Sequence, residues 1–185
     1  MSDATNTTNA QVTAAQWLAE EEALLSRISR AAGIAHREEV ASMTGIEMLA
    51  AMIAGKLPRP PISQTLDFSL IRIEPGIALF QGHPHLAHYN PLGSVHGGWF
   101  ATLLDSAMGC AVQSMLPAGK SYTTMEFKVN IVRALTEAVP VVRCEGKVVH
   151  SGRSSATAEA RLFGPDGKLY AHATTTCMVF DRPAG

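Results

Sequence analysis

The chain has 185 residues, which suits one domain or one domain with an appendage. Charged residues make up only 17% against the ~25% usual for soluble domains, and apolar residues 46%, a balance that points to surface hidden in an oligomer. Lys plus Arg number 15 and Asp plus Glu 16, a net charge of −1, so there is no basic excess for nucleic acid and no polybasic block for a membrane surface.

Residues 1–11 are small and polar and read as disordered; they hold neither the basic nor the apolar region of a signal peptide. From Val12, Trp17, Leu18, Leu24, Leu25 and Ile28 recur at helical steps among Glu and Arg, which predicts an amphipathic helix ending near Gly33. Its apolar face is expected to bury on a dimer or neighbouring subunit. Thr44-Gly45-Ile46-Glu47 is a capping box that opens a short helix over Ile46–Ala54, stopped by Gly55. Pro58-Arg59-Pro60-Pro61 reads as a stiff linker. The boundary therefore falls near residue 60, with a helical extension over 1–60 and the main domain over 61–185.

After the linker, Leu66–Glu74 and Ile77–Gln81 read as strands around a Pro75-Gly76 turn, and His83–Val95 as a loop. Residues 75–104 carry no Asp, Glu, Lys or Arg, but their Gly, Pro, Asn and four His exclude a membrane span. Gly97–Met115 is long and apolar and reads as a buried helix. Four strands follow, Ser121–Ala134, Ala138–His150, Arg153–Phe163 and Leu169–Phe180; their short breaks predict antiparallel neighbours. Cys110, Cys144 and Cys177 are widely spaced and odd in number, so neither a disulfide framework nor a CxxC metal site is indicated, and a cytoplasmic setting is expected.

Asp105 is the only formal charge between Glu74 and Lys120, on a helix apolar almost all round. An unpaired carboxylate there costs several kcal/mol, so it needs partners or a chemical role. The loop Asn90–Val95 leads into His96-Gly97-Gly98 at the start of that helix. Free amides at a helix N-terminus, with glycine letting a carbonyl approach, suit an oxyanion site; tight helix–sheet packing is the alternative use of the glycine pair. His83, His85 and His88 form an H-x-H-x-x-H cluster, but no Cys or acid is expected nearby, so no metal site is assigned. Gly119-Lys120-Ser121 lacks the first glycine of a P-loop, and no serine sits in G-x-S-x-G. Ser151-Gly152-Arg153 is first a hairpin turn, whose Arg could also pair with a phosphate.

Asn90, His96-Gly97-Gly98, Asp105 eight residues after Gly97, Tyr122-Thr123-Thr124-Met125-Glu126, and the later Val148–Arg153 and Leu169–Ala173 segments together resemble the hotdog-fold acyl-CoA thioesterases of the phenylacetic-acid-degradation type. The resemblance spans about residues 66–180. It implies an α+β fold in which a bent antiparallel sheet wraps one long helix. It also implies that Asp105 acts as general base or nucleophile. Gly97 N–H would polarise the thioester carbonyl with help from Asn90 and His96, and Thr124 would hold Asp105 or the water. Gly98, Ser151, Gly152 and Arg153 would contact substrate. No metal or cofactor is implied beyond coenzyme A as part of the substrate, acyl-CoA. Eight residues of helix rise ~12 Å, so Gly97 and Asp105 of one chain cannot share a carbonyl. A homodimer, with dimers pairing further, is therefore expected. The rival readings are a hotdog hydratase, disfavoured because the fifth residue after Asp105 is Cys110 rather than His, and an acyl-CoA sensor module, which would not need Asp105.

Overall fold

The computed structural model describes residues 2–28 and 31–182. In chain order these form α1 (Ser2–Leu25), α2 (Arg37–Val40), α3 (Gly45–Ile53), α4 (Pro61–Thr65), β1 (Phe68–Glu74), β2 (Ile77–Gly82), a 3-10 turn at Leu86–His88, α5 (Gly97–Ser114), β3 (Lys120–Ile131), β4 (Val142–Ser151), β5 (Ser155–Phe163) and β6 (Leu169–Asp181).

Helix α5 organises the rest. Phe100, Leu103, Leu104, Ala107, Met108, Ala111 and Val112 are all buried, and they span about half of its circumference. An apolar face that wide must be covered by other elements. An antiparallel six-stranded sheet in the order β1-β2-β4-β5-β6-β3 wraps it. Inward-facing Ala156, Ala158 and Ala160 let the strands come close. At Gly146 on β4 any side chain would collide with the Ala107 carbonyl, so glycine sets the distance of closest approach.

The pairing differs from expectation at one place. The break at Leu135-Thr136-Glu137 predicted β3 and β4 as neighbours. Instead β3 pairs with β6, Thr124 opposite Cys177, and residues 132–141 cross over to β4. Leu135 is the cause: its side chain is fully buried and its carbonyl accepts the Val95 N–H at 2.9 Å. The connection is thereby pinned under the entry to α5 and cannot close a hairpin.

The N-terminal helices also depart from the sequence reading. Residues 2–11, expected to be disordered, are helical, and α1 ends at Leu25, well before Gly33. Ala14, Trp17, Glu21 and Leu24 form one docked stripe, and a helix nucleated there extends backwards at small cost. The stripe lies on the chain's own sheet, where a neighbouring subunit had been expected. Trp17 packs edge-on against Phe163 with centroids 5.9 Å apart, and the Arg143 guanidinium sits 4.6 Å from its ring. Pro60 and Pro61 are the N-cap and first residue of α4; Leu57 is buried, and Gly33 N–H donates to the Arg59 carbonyl at 2.8 Å. The Thr44–Glu47 capping box is present, and Gly45 N–H donates to the Leu116 carbonyl at 2.9 Å, tying α3 to the end of α5.

Between α1 and the sheet lies a buried polar network. Glu21 is 5% exposed, and its Oε2 accepts from Gln81 Nε2 at 2.7 Å and pairs with His83 Nε2 at 2.5 Å. Arg143 Nε donates to Gln81 Oε1 at 3.0 Å, and its Nη2 meets Glu20 at 2.5 Å. Burial alone would lower the His83 pKa, but the Glu21 carboxylate, the charge of Asp67 and the Pro140 carbonyl together raise it. Burial likewise opposes ionisation of Glu21, and His83, Ser69 and Gln81 together lower its pKa. His83 thus contributes stability that is complete below its ordinary value of 6.5 and is lost as pH rises through its higher folded value. Glu21 contributes above its ordinary 4.5 and loses that as pH falls through its lower folded value. The network is therefore strongest between these two ordinary values. Wild-type protein is expected to melt at higher temperature near pH ~5.5 than near pH ~8.5, with the difference much reduced in His83→Gln. An unchanged pH slope in the variant would remove His83 from the account. Glu21→Ala, which strands a buried partner, should cost ~3–5 kcal/mol in denaturant unfolding.

Candidate active site

The loop before α5 is built by its own side chains. Asn90 Oδ1 accepts the N–H of Leu92 at 2.8 Å and of Ser94 at 3.4 Å, while its Nδ2 donates to Ser94 Oγ at 3.3 Å. Gly93, at φ +83°, closes this turn. His88 stacks on Trp99 with centroids 5.7 Å apart, and its carbonyl accepts His96 N–H at 2.7 Å. The chain is thus delivered onto the helix at Gly97.

His96 is the N-cap of α5. Its Nδ1 accepts the Gly98 N–H at 2.9 Å, which puts the ring proton on Nε2 when the imidazole is neutral. Gly98's amide is therefore occupied. Gly97 N–H has no acceptor among the described residues and stands free at the positive end of an 18-residue helix.

Asp105 follows two turns later and is half-buried. Thr124 Oγ1 donates to its Oδ1 at 3.0 Å. A bulge between Thr124 and Glu126 inserts Met125 at this point of β3, and Thr175 Oγ1 holds the Glu126 carbonyl at 2.7 Å. Bulges re-aim side chains, and this one lies next to the residue that meets the acid. Around the pair, burial pushes the Cys110 thiol up to about 12, with the charge of Asp105 adding to it. Burial also drives the Tyr122 phenol well up, helped by Cys110 and Asp105, and raises the Cys177 thiol despite hydrogen bonds with Thr175 and Thr124. These three groups stay neutral near pH 7, so neither thiol is a ready nucleophile. Asp105 is the group beside them with a basic oxygen.

Ser151, Gly152 and Arg153 form the β4–β5 hairpin, with Gly152 N–H donating to the Ser155 carbonyl at 2.8 Å. Ala156, Cys177 and Thr124 share one row across β5, β6 and β3, so this hairpin stands at the Asp105 end of the sheet. Gly97 lies towards the other end of β3, a side chain placed there coming within 3.3 Å of Ile131 Cδ1. The two halves of the expected site are thus separated along one chain.

The histidine cluster has acidic neighbours that the sequence did not suggest. His83 pairs with Glu21, and His85 Nε2 is 2.5 Å from Asp67 Oδ2. Among the described residues no group of three His, Cys, Asp or Glu is placed to hold a metal ion. The sequence reading also gave no role to Gly109, where a side chain would run into the Tyr122 hydroxyl. A glycine in mid-helix costs about 1 kcal/mol against alanine, and that cost was the available signal.

In the single chain β3 is an edge strand, and Met125, Phe127 and Ile131 on it are 65%, 40% and 47% exposed. No described helix is long and apolar enough to cross a membrane.

Comparison with known proteins bears on what such a site does. Residues 92–171 match the Thioesterase superfamily. Among solved structures, a phenylacetic acid degradation-related protein from Ralstonia eutropha JMP134 is 27% identical, with a TM-score of 0.65 over 70% of this chain and 98% of that one. A thioesterase family protein from Silicibacter pomeroyi is 27% identical, with a TM-score of 0.65 over 72% and 99%. A conserved protein from Pseudomonas aeruginosa is 29% identical, with a TM-score of 0.61 over 64% and 93%. No curated protein matches the chain.

The fit of Tyr122 against α5 is testable without any assay of activity. Gly109→Ala is expected to destabilise the protein by about 1–3 kcal/mol through overpacking. Adding Tyr122→Phe, which removes the colliding oxygen, should restore part of that loss, as read from urea midpoints. Additive losses would mean the two positions are not in contact.

Proposed function

We infer that this chain, a hotdog-fold protein of the thioesterase superfamily, hydrolyses acyl-CoA thioesters at a site completed by a second copy of itself. Thioester hydrolysis as the reaction class is supported by the family match and by the thioesterase family relative. The observation that carries the finer reading is the Thr124–Asp105 hydrogen bond on a half-buried helix face, with the free Gly97 amide two turns away.

The rise of α5 from Gly97 to Asp105 is ~12 Å, too far for both to reach one carbonyl. An antiparallel partner would bring its own Asp105 to Gly97. The open edge of β3 supports such pairing, because its edge backbone groups, beside exposed Met125, Phe127 and Ile131, are a template for another strand. In this arrangement Gly97 N–H donates to the thioester carbonyl oxygen, and the helix dipole favours the negative charge that develops there. Water attacks the carbonyl carbon and passes a proton to Asp105. The tetrahedral intermediate then collapses, the C–S bond breaks, and the thiolate of coenzyme A leaves and takes up a proton. Direct attack by Asp105, giving an anhydride that water opens, uses the same groups. Thr124 holds the carboxylate in position in either case. Asn90 and His96 act by shaping the loop and cap that present Gly97. Arg153, exposed on its hairpin at the Asp105 end, is the residue proposed to pair with a phosphate of coenzyme A.

Asp105→Asn should lower turnover ~10²–10⁴-fold while the melting temperature changes little, since the amide cannot take a proton or attack. A near-wild-type rate would end the assignment. The shared site is tested by mixing Asp105→Asn with Asn90→Ala, which dismantles the turn before Gly97. Half of randomly paired dimers are mixed and each has one intact site, so roughly a quarter of wild-type activity should return. Verified mixed dimers that stay inactive would place both groups in one chain.

A further inference from the structure

One polar group beside Asp105 has no part in the mechanism so far. Tyr122 lies two residues before Thr124 on β3. The two face the same side of the strand, opposite Val179 and Cys177 of β6. Thr124 meets Asp105, and Tyr122 meets α5 one turn further on, at Gly109. These contacts are adjacent rungs between the edge strand and the helix. The second rung is close: a Cβ at position 109 would stand 2.2 Å from the Tyr122 hydroxyl oxygen. Glycine in mid-helix is unfavourable, and what it admits here is the hydroxyl end of this ring. A phenylalanine would fill the same space with less need of it.

The hydroxyl is also unpartnered. It makes no hydrogen bond among the described residues. Arg59 Nε is the one side-chain nitrogen or oxygen there that is both sealed from solvent and without a partner, so the Tyr122 oxygen keeps access. Buried phenols ordinarily find a partner. Burial, helped by Cys110 and Asp105, keeps this one protonated near pH 7, so its hydrogen is available to donate. Residues four apart on a helix have Cβ atoms about 5–6 Å apart, which sets the spacing between Asp105 and an oxygen held at position 109. Two hydrogen bonds of ~2.8 Å through a single water cover that span. Thr124 occupies Oδ1 of the carboxylate and leaves Oδ2 for such a water.

We propose that the Tyr122 hydroxyl donates to the attacking water and holds it against Asp105, which makes Tyr122 a catalytic residue of this site. This role rests on the thioester-hydrolysis reading and adds to it the group that orients the nucleophile. One lone pair of the water oxygen accepts from Tyr122, and the other forms the bond to the carbonyl carbon. One proton of the water passes to Asp105. Tyr122 keeps its own proton throughout, so the phenol changes neither charge nor oxidation state.

The test uses the full-length protein with acetyl-CoA, hexanoyl-CoA and benzoyl-CoA, free thiol as readout, and kcat and KM taken on whichever is cleaved fastest. Tyr122→Phe is expected to lower kcat by ~10–100-fold, as lost orientation does, with KM within about twofold of wild type. Its melting temperature should stay within about 2 °C, since the hydroxyl has no protein partner to lose. Asp105→Asn combined with Tyr122→Phe should be within about threefold of Asp105→Asn alone, because both act on one water. Gly109→Ala, which keeps the phenol and pushes its oxygen aside, serves if Tyr122→Phe does not fold; assayed below its melting temperature, it should lower kcat and leave KM unchanged. A wild-type kcat in either variant overturns the role of Tyr122. So does a loss in Tyr122→Phe that appears in KM or is matched by a lower melting temperature, and so do losses that multiply in the double variant. All of these leave the thioesterase reading intact. No hydrolysis of any of the three thioesters by the wild type overturns both.

Discussion

Helix α5 is too apolar to lie on a surface, and the six strands that cover it do not close around it. Its buried side chains take up the inner face of the sheet, and a strip holding Ala101, Thr102, Asp105, Ser106 and Cys110 remains half-covered. That strip is where a carboxylate can keep water and a partner while the rest of the helix is dry. The close approach that Gly146 and the inner alanines permit makes the enclosure tight, and the same closeness leaves Tyr122 room only because position 109 is glycine. The acid's surroundings therefore follow from how the helix is packed: a neutral phenol and thiols around it, and a threonine from the bulged edge strand on its oxygen.

The N-terminal helices are joined to this core by polar as well as apolar contacts. Glu21 occupies the position in the α1 stripe where an apolar residue would be expected, and it meets Gln81 and His83 across the sheet's outer face. A buried pair of this kind is a poor source of net stability and a good device for fixing one register, because any other alignment of α1 leaves a charge unpaired. The helices that follow continue around the edge of β1 to the other side of the sheet, where they reach α5 beside Cys110. One extension thus covers the back of the sheet and also borders the strip that carries the acid.

The six strands and the helices α3 and α5 were legible in the sequence, because each rests on local rules, whereas the short helices α2 and α4 were not. The long apolar run at Gly97–Met115, the Thr44–Glu47 box and the turn at Pro75-Gly76 all specify their own geometry within a few residues. Asp105 stood out for a similar reason, as a lone charge in an apolar run. The reading failed where a residue's fate depends on something distant in the chain. Leu135 looked like part of a hairpin break, and its burial against the entry to α5 sends β4 elsewhere. Residues 2–11 lack any apolar stripe of their own and are helical because a docked segment precedes the helix's end.

By itself, then, the sequence determined the six strands, the α3 and α5 helices and the middle of α1, the singular carboxylate and the glycine-led helix start, all set by period, capping and composition. The tertiary structure decided three further things. It put β3 at the sheet's edge, placed Thr124 rather than another hydroxyl on Asp105, and set Glu21, His83 and Arg59 in contacts 10 to 62 residues apart in the chain. The physical reason is range. Backbone propensity acts over a few residues, whereas which buried polar group meets which is fixed only when the packing has removed every other partner, water included.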